Sequence, residues 1–402
     1  RQRQMCIRDR SWTACPYRRK AEMELLVMAA ILAAVIIGQY FLYDRRGLKR
    51  LDYSITLKRR DSGEIAAGSG VILEAYEGEE LELIEEIDNA KLLPLPWVRT
   101  EISCSRWLTF RGSRDSNALD DTQKGLISGI FTLRSRQKCR RTWRIKAEKR
   151  GMFTIDDVSV TVSDLFGLVR SARVIKLGQQ LRILPTPAEL EPGEMSGDAF
   201  IGDIPVRRFV LPDPFVISGA REYTGREPMN RIHWAQSARC GSLMVYCNEF
   251  TTERRVLILL NIQRSFHGER QQMSLPMLEA MIKGAAYMLE YCAETHTECA
   301  LTVNSAQPVV PVPGEGYTHK MDCLRTLAEL PGDCGEHIDD FISGLNLRDY
   351  TDVVFISSFL DEKCGDLLRS LSENGVCVSV MSTEIDDVDF CEVRHIQKRM
   401  LR

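Results

Sequence analysis

The sequence has no GxxxxGK[ST] phosphate loop, no GxGxxG dinucleotide turn, no HExxH zinc helix and no GxSxG nucleophile elbow. Each missing pattern removes the local geometry its chemistry depends on: backbone N–H groups cradling phosphate, two His on one helix face, or a Ser on a strained turn. CxxC pairs are missing as well. The 13 Cys are scattered singly over the whole length, which reads as reduced cytosolic thiols rather than a disulfide framework or a zinc ribbon. Net charge is nearly absent: 53 Lys+Arg face 56 Asp+Glu, leaving -3, so nothing in the global balance demands nucleic acid. Only one apolar run is long enough to span a bilayer, which excludes a polytopic transporter. The remaining composition, 44% hydrophobic and 27% charged, excludes a disordered or collagen-like chain. A length of 402 residues allows two or three folded units.

Residues 1–22 are set apart from the fold reading. They begin with Arg, and the string from Met5 to Arg10 resembles translated sequencing-adapter sequence, so a non-native or disordered tail is expected there, with Met23 as the start. Residues 24–43 are expected to form a transmembrane helix. Leu25 to Tyr43 carries no charge over 19 residues, reaching roughly 28 Å at 1.5 Å per residue, about one hydrocarbon core. A cleaved signal peptide is the rival, but the run is long and no Ala-x-Ala site follows. Arg45, Arg46, Lys49 and Arg50 follow the run, whereas Glu24 alone precedes it after Met23. Positive flanks stay inside. The expectation is a single-pass protein of the inner (cytoplasmic) membrane with its body in the cytoplasm.

Residues 51–185 read as an antiparallel β-sandwich-like domain. Stretches such as Leu81 to Ile87 and Val158 to Val162 alternate apolar and polar residues, as half-buried strands do. Charge is polarised here: residues 74–88 hold eight acids and no base, and residues 134–150 hold nine bases and one acid. The basic run is either a solvated hairpin face beside the acidic strand or a surface for anionic lipid. Nucleic acid is not expected as a partner, because only Trp143 interleaves with the bases.

Residues 186–252 read as a proline-broken linker ending in a dense polar and aromatic block. Residues 253–402 then alternate strands and helices. Val256 to Leu260, Cys299 to Val303, Val353 to Ile356 and Val376 to Val380 are strands. Leu278, Ile282, Ala285, Leu289 and Cys292 lie at helical spacing, and Met321 to Leu330, Ile338 to Leu347 and Cys364 to Leu371 are further helices. That order predicts a parallel, doubly wound α/β sheet whose site lies at the carboxyl ends of its strands. Cys292, His296 and Cys299 could supply three zinc ligands, but a structural site wants four, and core cysteines are the plainer reading. The fold expected overall is α+β multidomain: an anchor helix, a β-sandwich-like domain and an α/β domain.

The most informative block runs from Arg221 to Arg239. It gathers Arg221, Tyr223, Gly225, Arg226, Arg231, Ile232, His233, Trp234, Ala238 and Arg239. Arginine stacks on aromatic faces and bridges carboxylates, so the block could lock a loop in place or present a partner surface rich in Trp, Tyr and Arg. On packing grounds Trp234 and Ile232 are expected inside, with Arg221 and Arg226 more exposed.

Arg221, Tyr223, Gly225, Arg231, Ile232, Trp234, Ala238 and Arg239 resemble the signature of the domain-of-unknown-function 58 family, with Glu227 displaced from the usual acidic position. Glu77 to Glu79, Asn89, Leu95 to Trp97, Arg150 to Phe153 and Asp164 to Gly167 resemble its earlier β segments. The resemblance covers most of residues 24–260. It implies a C-terminal domain similar to a von Willebrand factor A domain, where a divalent ion is held by D-x-S-x-S after the first strand. The matching positions here are Asn261, Gln263 and Ser265, and the later acidic position reads Ser357 and Ser358, with Asp361 displaced. Hard cations want charged oxygens, so no metal and no cofactor are expected. Family members are often encoded with MoxR-type AAA+ ATPases. The resemblance therefore implies a membrane-anchored adaptor that works with such an ATPase in assembling or maturing envelope or other protein complexes. Neither enzymatic activity nor a small-molecule substrate is expected. The alternatives are a metal-dependent adhesion-type binding protein and an envelope-associated hydrolase.

Overall fold

The computed structural model describes residues 16–60, 62–67, 70–105, 107–111, 124–164, 167–188, 212–225, 227–250, 254–266, 269–272, 274–383, 385, 388–389, 391 and 393–396. The chain divides into two compact units, Arg1–Arg182 and Ile183–Arg402.

The first unit opens with helix α1 (Pro16–Arg46). It begins before the apolar run, so part of the expected tail, residues 16–22, continues the same helix; Arg, Lys, Ala and Glu are good helix formers. Met23–Arg46 is long and apolar enough to cross a membrane. From Met23 to Leu42 its side chains are exposed, apart from the half-buried Ile36 and Gln39, as an element apolar on every face would be outside a lipid phase. The helix end is then fastened to the body. Tyr43 is buried, and its hydroxyl donates to the Pro94 carbonyl at 2.9 Å. Lys91 Nζ donates to the carbonyls of Arg46, at 3.1 Å, and Gly47, satisfying acceptors a helix C-terminus leaves open.

Ten strands follow: β1 (Leu51–Arg59), β2 (Ile65–Ala67), β3 (Ile72–Tyr76), β4 (Glu80–Asn89), β5 (Leu95–Ser105), β6 (Leu108–Arg111), β7 (Lys124–Leu133), β8 (Gln137–Ala147), β9 (Gly151–Ser163) and β10 (Arg170–Leu184). They form two five-stranded sheets, ordered β2-β1-β4-β8-β6 and β3-β10-β9-β5-β7, a sandwich-like arrangement with alternate residues buried. The two charge runs of the sequence are the neighbouring strands β4 and β8. Their antiparallel register sets Glu82 opposite Arg144, Glu86 opposite Arg140 and Asp88 opposite Lys138. Lys138 bonds Glu86 at 2.8 Å, and that ammonium holds the Glu86 carboxyl below its ordinary range. Opposite charges across a ladder support the pairing, so the strand part of the basic run is matched within the sheet.

Glu85 is the exception on the acidic strand, because it is fully buried. Its carboxylate accepts from the Tyr53 hydroxyl at 3.0 Å and from Trp143 Nε1 at 3.1 Å. Burial, then the adjacent carboxylate, pushes the Tyr53 hydroxyl up, so it remains a donor. Replacing Glu85 with Leu leaves two donors without their acceptor, at about 1–3 kcal/mol each. Calorimetric melting of the full chain in detergent should show the first unit destabilised in Glu85→Leu and far less in Glu85→Gln, which keeps an acceptor. Equal melting of the two variants contradicts this assignment.

In the second unit, β11 (Pro212–Glu222) and β12 (Met244–Phe250) form an antiparallel pair, with the short helix α2 (Trp234–Cys240) between them. The segment read as a linker thus contains a folded hairpin. Next come β13 (Arg255–Leu260), the small hairpin β14 (Gln263–Phe266) and β15 (Glu269–Gln272), and helix α3 (Leu275–Glu294). Pro276 sits in the first turn of α3, where a missing N–H costs nothing. The chain continues through β16 (Glu298–Val303), α4 (Gly316–Glu329), α5 (Ile338–Gly344), β17 (Asp352–Ile356), α6 (Glu362–Glu373), β18 (Cys377–Ser382) and β19 (Val393–His395).

Five of these strands form one sheet in the order β16-β13-β17-β18-β19, and every pairing in it is parallel. Strands buried on both faces need near-continuous apolar sequence, and Val256 to Leu260 and Val353 to Ile356 supply it. Leu257, Leu259, Val353 and Phe355 face α5 and α6 through Phe341 and Leu368. On the other side, α3 approaches so closely at Gly284 that an added Cβ would lie 2.7 Å from Ile396 Cδ1.

Candidate functional site: the signature loop and the sheet's carboxyl end

Two places carry the residues singled out in the sequence. The first is the loop between β11 and β12. Arg221, next to last in β11, lies opposite Val245, and its guanidinium bonds Glu227 at 2.6 Å. Glu227 also accepts from the Thr224 hydroxyl at 2.7 Å and the Thr224 N–H at 3.1 Å. These bonds, the Thr224 hydroxyl first, hold the Glu227 carboxyl down at about 2. The displaced acid therefore closes the loop on itself. Between them Gly225 takes φ +84°, which a side chain would strain. Tyr223 is half-buried, and its N–H donates to the Leu243 carbonyl at 2.8 Å.

The loop then turns through a single 3-10 turn, Met229–Arg231, into α2. Ile232 is 3% exposed and bridges to Val245. His233 caps α2: its Nδ1 accepts from the Gln236 N–H at 3.3 Å, and its ring stacks on Tyr246 at 4.3 Å. Ser237 ties the helix to β12, donating to the His233 carbonyl at 2.9 Å and accepting from the Met244 N–H at 2.8 Å. Gly241, in the left-handed conformation at φ +72°, ends it.

Within this frame Trp234 is 63% exposed, against the expectation that it packs. The contacts of this seven-residue helix are made by the Ser237 hydroxyl and the preceding Ile232, and no described element covers the indole. Met229, at 70%, and Leu243 are exposed with it, and Arg231, Ala238 and Arg239 are exposed as well. Arg226 lies outside the described residues. The described residues of the loop are thus tied together by hydrogen bonds and present large apolar side chains among arginines.

The second place is the carboxyl end of the parallel sheet, where β13 and β17 lie side by side. In open α/β sheets this end is the usual ligand site. Asn261 Nδ2 donates to Ser357 Oγ at 2.9 Å. Asn261 Oδ1 accepts from Asn304 Nδ2 at 2.8 Å and from the Gln263 N–H at 3.0 Å. Asn304 Oδ1 accepts from the Ile262 N–H at 2.8 Å. Gln263 Oε1 accepts from the Ile338 N–H at 2.8 Å, capping the start of α5, while its Nε2 stands 3.1 Å from His337 Nε2. Asn261, Gln263, Asn304 and Ser357 are all buried. Their amide and hydroxyl groups are engaged by one another and by Ile338, His337 and the Phe359 carbonyl, and a hard divalent cation needs oxygens bearing charge. This donor set does not fit the cation held by the D-x-S-x-S pattern. Ser265 is in β14; Asp361 precedes α6 and makes no described bond to the amide cluster. Asn304 and His337 carry no sequence signal, since they meet Asn261 and Gln263 across 43 and 74 residues.

Cys292, His296 and Cys299 do not assemble as ligands. The two thiols are buried and share a hydrogen bond that, together with burial, pushes Cys292 up. His296 turns outward with φ +52°, its side chain 3.8 Å from Glu315.

No protein-family model and no curated protein matches the chain. Solved structures similar to part of it include a CARDB domain from Pyrococcus furiosus in complex with di-metal ions, at 9% identity and a TM-score of 0.19, covering 34% of this chain and 90% of that one. A non-cellulosomal cohesin from Archaeoglobus fulgidus is similar at 12% identity and 0.19, covering 33% and 91%. The ASH/PapD-like domain of human CEP192 is similar at 12% and 0.20, covering 34% and 85%.

Proposed function

We propose that this chain is a membrane-anchored interaction protein. In this reading its body is cytoplasmic and its signature loop docks a MoxR-type AAA+ ATPase during assembly or maturation of protein complexes. The observation that carries the reading is the exposed Trp234 on a loop whose backbone is fixed by Glu227, His233 and Ser237. Trp and Arg dominate interface hot spots because they bury large area with few rotamers, and a pre-ordered loop loses little entropy on binding. The identity of the partner rests on the family resemblance.

The anchor is supported by how α1 ends. A removable leader has no need to seat its last turn in the mature body, yet Tyr43 and Lys91 join helix and β-domain. In the C-terminal domain, read as von Willebrand factor A-like, the amide cluster at Asn261 supports a metal-independent role over the adhesion-type alternative.

The docking reading is tested by capture of the purified MoxR-type ATPase of the same genome on the full chain in nanodiscs. Binding to the wild-type protein and not to empty nanodiscs is expected; no binding with or without ATP overturns the partner. Sidedness is tested at Cys240, which is exposed. An impermeant maleimide should label it only after cells are lysed, and labelling in intact cells reverses the topology. Cys364 cannot report, because burial pushes its thiol up to about 12 on either side of the membrane.

A further inference from the structure

Where α1 leaves its apolar run, Arg46, Lys49 and Arg50 share a cavity of about 820 Å³ with Lys91 from the β4–β5 loop; Leu42 and Leu92 line it as well. Among the described residues, no carboxylate lies within ion-pairing distance of these four cations. The Lys91 ammonium reaches only the two carbonyls at the helix end, and burial pushes it down to about 8. Leu92, next to it, is 70% exposed. Two further bases stand at the same end of the unit. Arg134 and Arg136 occupy the β7–β8 turn, which is fastened to this loop where the Arg136 N–H donates to the Lys91 carbonyl at 3.0 Å and the Ser135 hydroxyl bonds the Leu92 carbonyl. They are exposed and have no described acidic partner, unlike Lys138 and Arg140 further along β8.

We propose that this cavity binds the phosphate headgroup of an anionic phospholipid in the leaflet at the C-terminal end of α1. The proposal rests on the anchor reading above, since that reading brings the cavity to headgroup depth. Three features fit a lipid rather than a dissolved anion. The cations surround the end of a helix long and apolar enough to span a bilayer, the lining is part aliphatic, and Leu42 and Leu92 lie where the first acyl carbons would follow the phosphate. A phosphate oxygen would also supply the anionic partner that favours charged Lys91. The basic turn at Arg134 and Arg136 extends the same field along the membrane surface.

The test uses the full chain in liposomes of phosphatidylcholine alone or mixed with phosphatidylglycerol, followed by native mass spectrometry of the co-released lipid. Three of the four cations in the site, Lys49, Arg50 and Lys91, should together favour retention of phosphatidylglycerol over phosphatidylcholine by about 100-fold. The triple variant Lys49→Gln, Arg50→Gln, Lys91→Gln should lose that preference while still resisting alkaline extraction from neutral liposomes. Arg50→Gln alone alters an exposed side chain and should weaken the preference several-fold, which keeps the test decisive if the triple variant does not fold. Equal retention of both lipids by the wild type, or an unchanged preference in Arg50→Gln, overturns the proposal. Displacement of the lipid by millimolar inorganic phosphate would mark a site for the free anion and overturns it too. Release of wild-type protein by alkali from neutral liposomes would instead overturn the anchor, and the headgroup site with it.

Discussion

Trp234→Ala should weaken capture of the MoxR-type ATPase by about 30-fold or more, the effect of losing a hot spot worth at least 2 kcal/mol, while melting stays within about 1 kcal/mol of wild type. The two readouts separate because of where the indole sits. It is 63% exposed, so truncation leaves no cavity. The bonds that hold the loop come from neighbours: Glu227 to Thr224 and Arg221, His233 to Gln236, Ser237 to Met244. Ile232→Ala makes the opposite case. That side chain is 3% exposed, and its truncation should cost about 2–5 kcal/mol, with binding lost only as the loop loosens. Arg231→Ala and Arg239→Ala remove exposed charge and should lower the association rate and its salt dependence more than they change melting. A Trp234→Ala protein that binds normally removes the indole from the interface. One that melts far below wild type shows a packing role instead.

Asn261→Asp should destabilise the second unit by about 3–5 kcal/mol, and magnesium should not restore it. Asn261 is fully buried, and both ends of its amide are used: Nδ2 donates to Ser357, and Oδ1 accepts from Asn304 and the Gln263 N–H. A carboxylate keeps the acceptor and turns the donor into a second acceptor facing the Ser357 oxygen. It also places a charge in the core without a counter-ion, a change of the size seen when a buried ion pair loses one member. The cost should shrink as the pH falls and the new carboxyl protonates. Magnesium cannot offset it, because the groups that would complete a coordination sphere, Gln263, Asn304 and Ser357, are neutral and engaged elsewhere. The measurement is calorimetric melting of wild type and variant with and without millimolar magnesium. A magnesium-dependent rise in the melting temperature of Asn261→Asp would show a latent cation site and sink the metal-independent reading.

The sequence was most legible where one residue type does one job. Val256 to Leu260 and Val353 to Ile356 are unbroken apolar runs because both faces of those strands are covered, and the stripe from Leu278 to Cys292 is the buried face of α3. The acidic and basic runs were visible as composition, but their meaning lies in a register that no local pattern carries: residues 82 and 144 are opposite one another only once β4 and β8 pair. The buried role of Glu85 was hidden for the same reason, since an acid on an acidic strand reads as solvated until Tyr53 and Trp143 are brought to it. At the sheet end, Asn261 and Gln263 stood out as amides where acids are expected, while Asn304 and His337 arrive from distant segments. Trp234 was misread because a Trp in a dense block looks like packing; only the shortness of α2 and the choice of Ser237 as its inward contact expose it.

The most direct test replaces Trp234 with the photo-crosslinking residue p-benzoylphenylalanine in the full chain, in cells that also carry the MoxR-type ATPase at its native level. Irradiation of intact cells should yield one dominant membrane-fraction adduct that peptide mass spectrometry identifies as the ATPase. The same residue placed at Leu360, on the half-buried surface near α6, should yield none. An adduct at position 234 made only of lipid or of a second copy of this chain, or no adduct at all, contradicts the docking role.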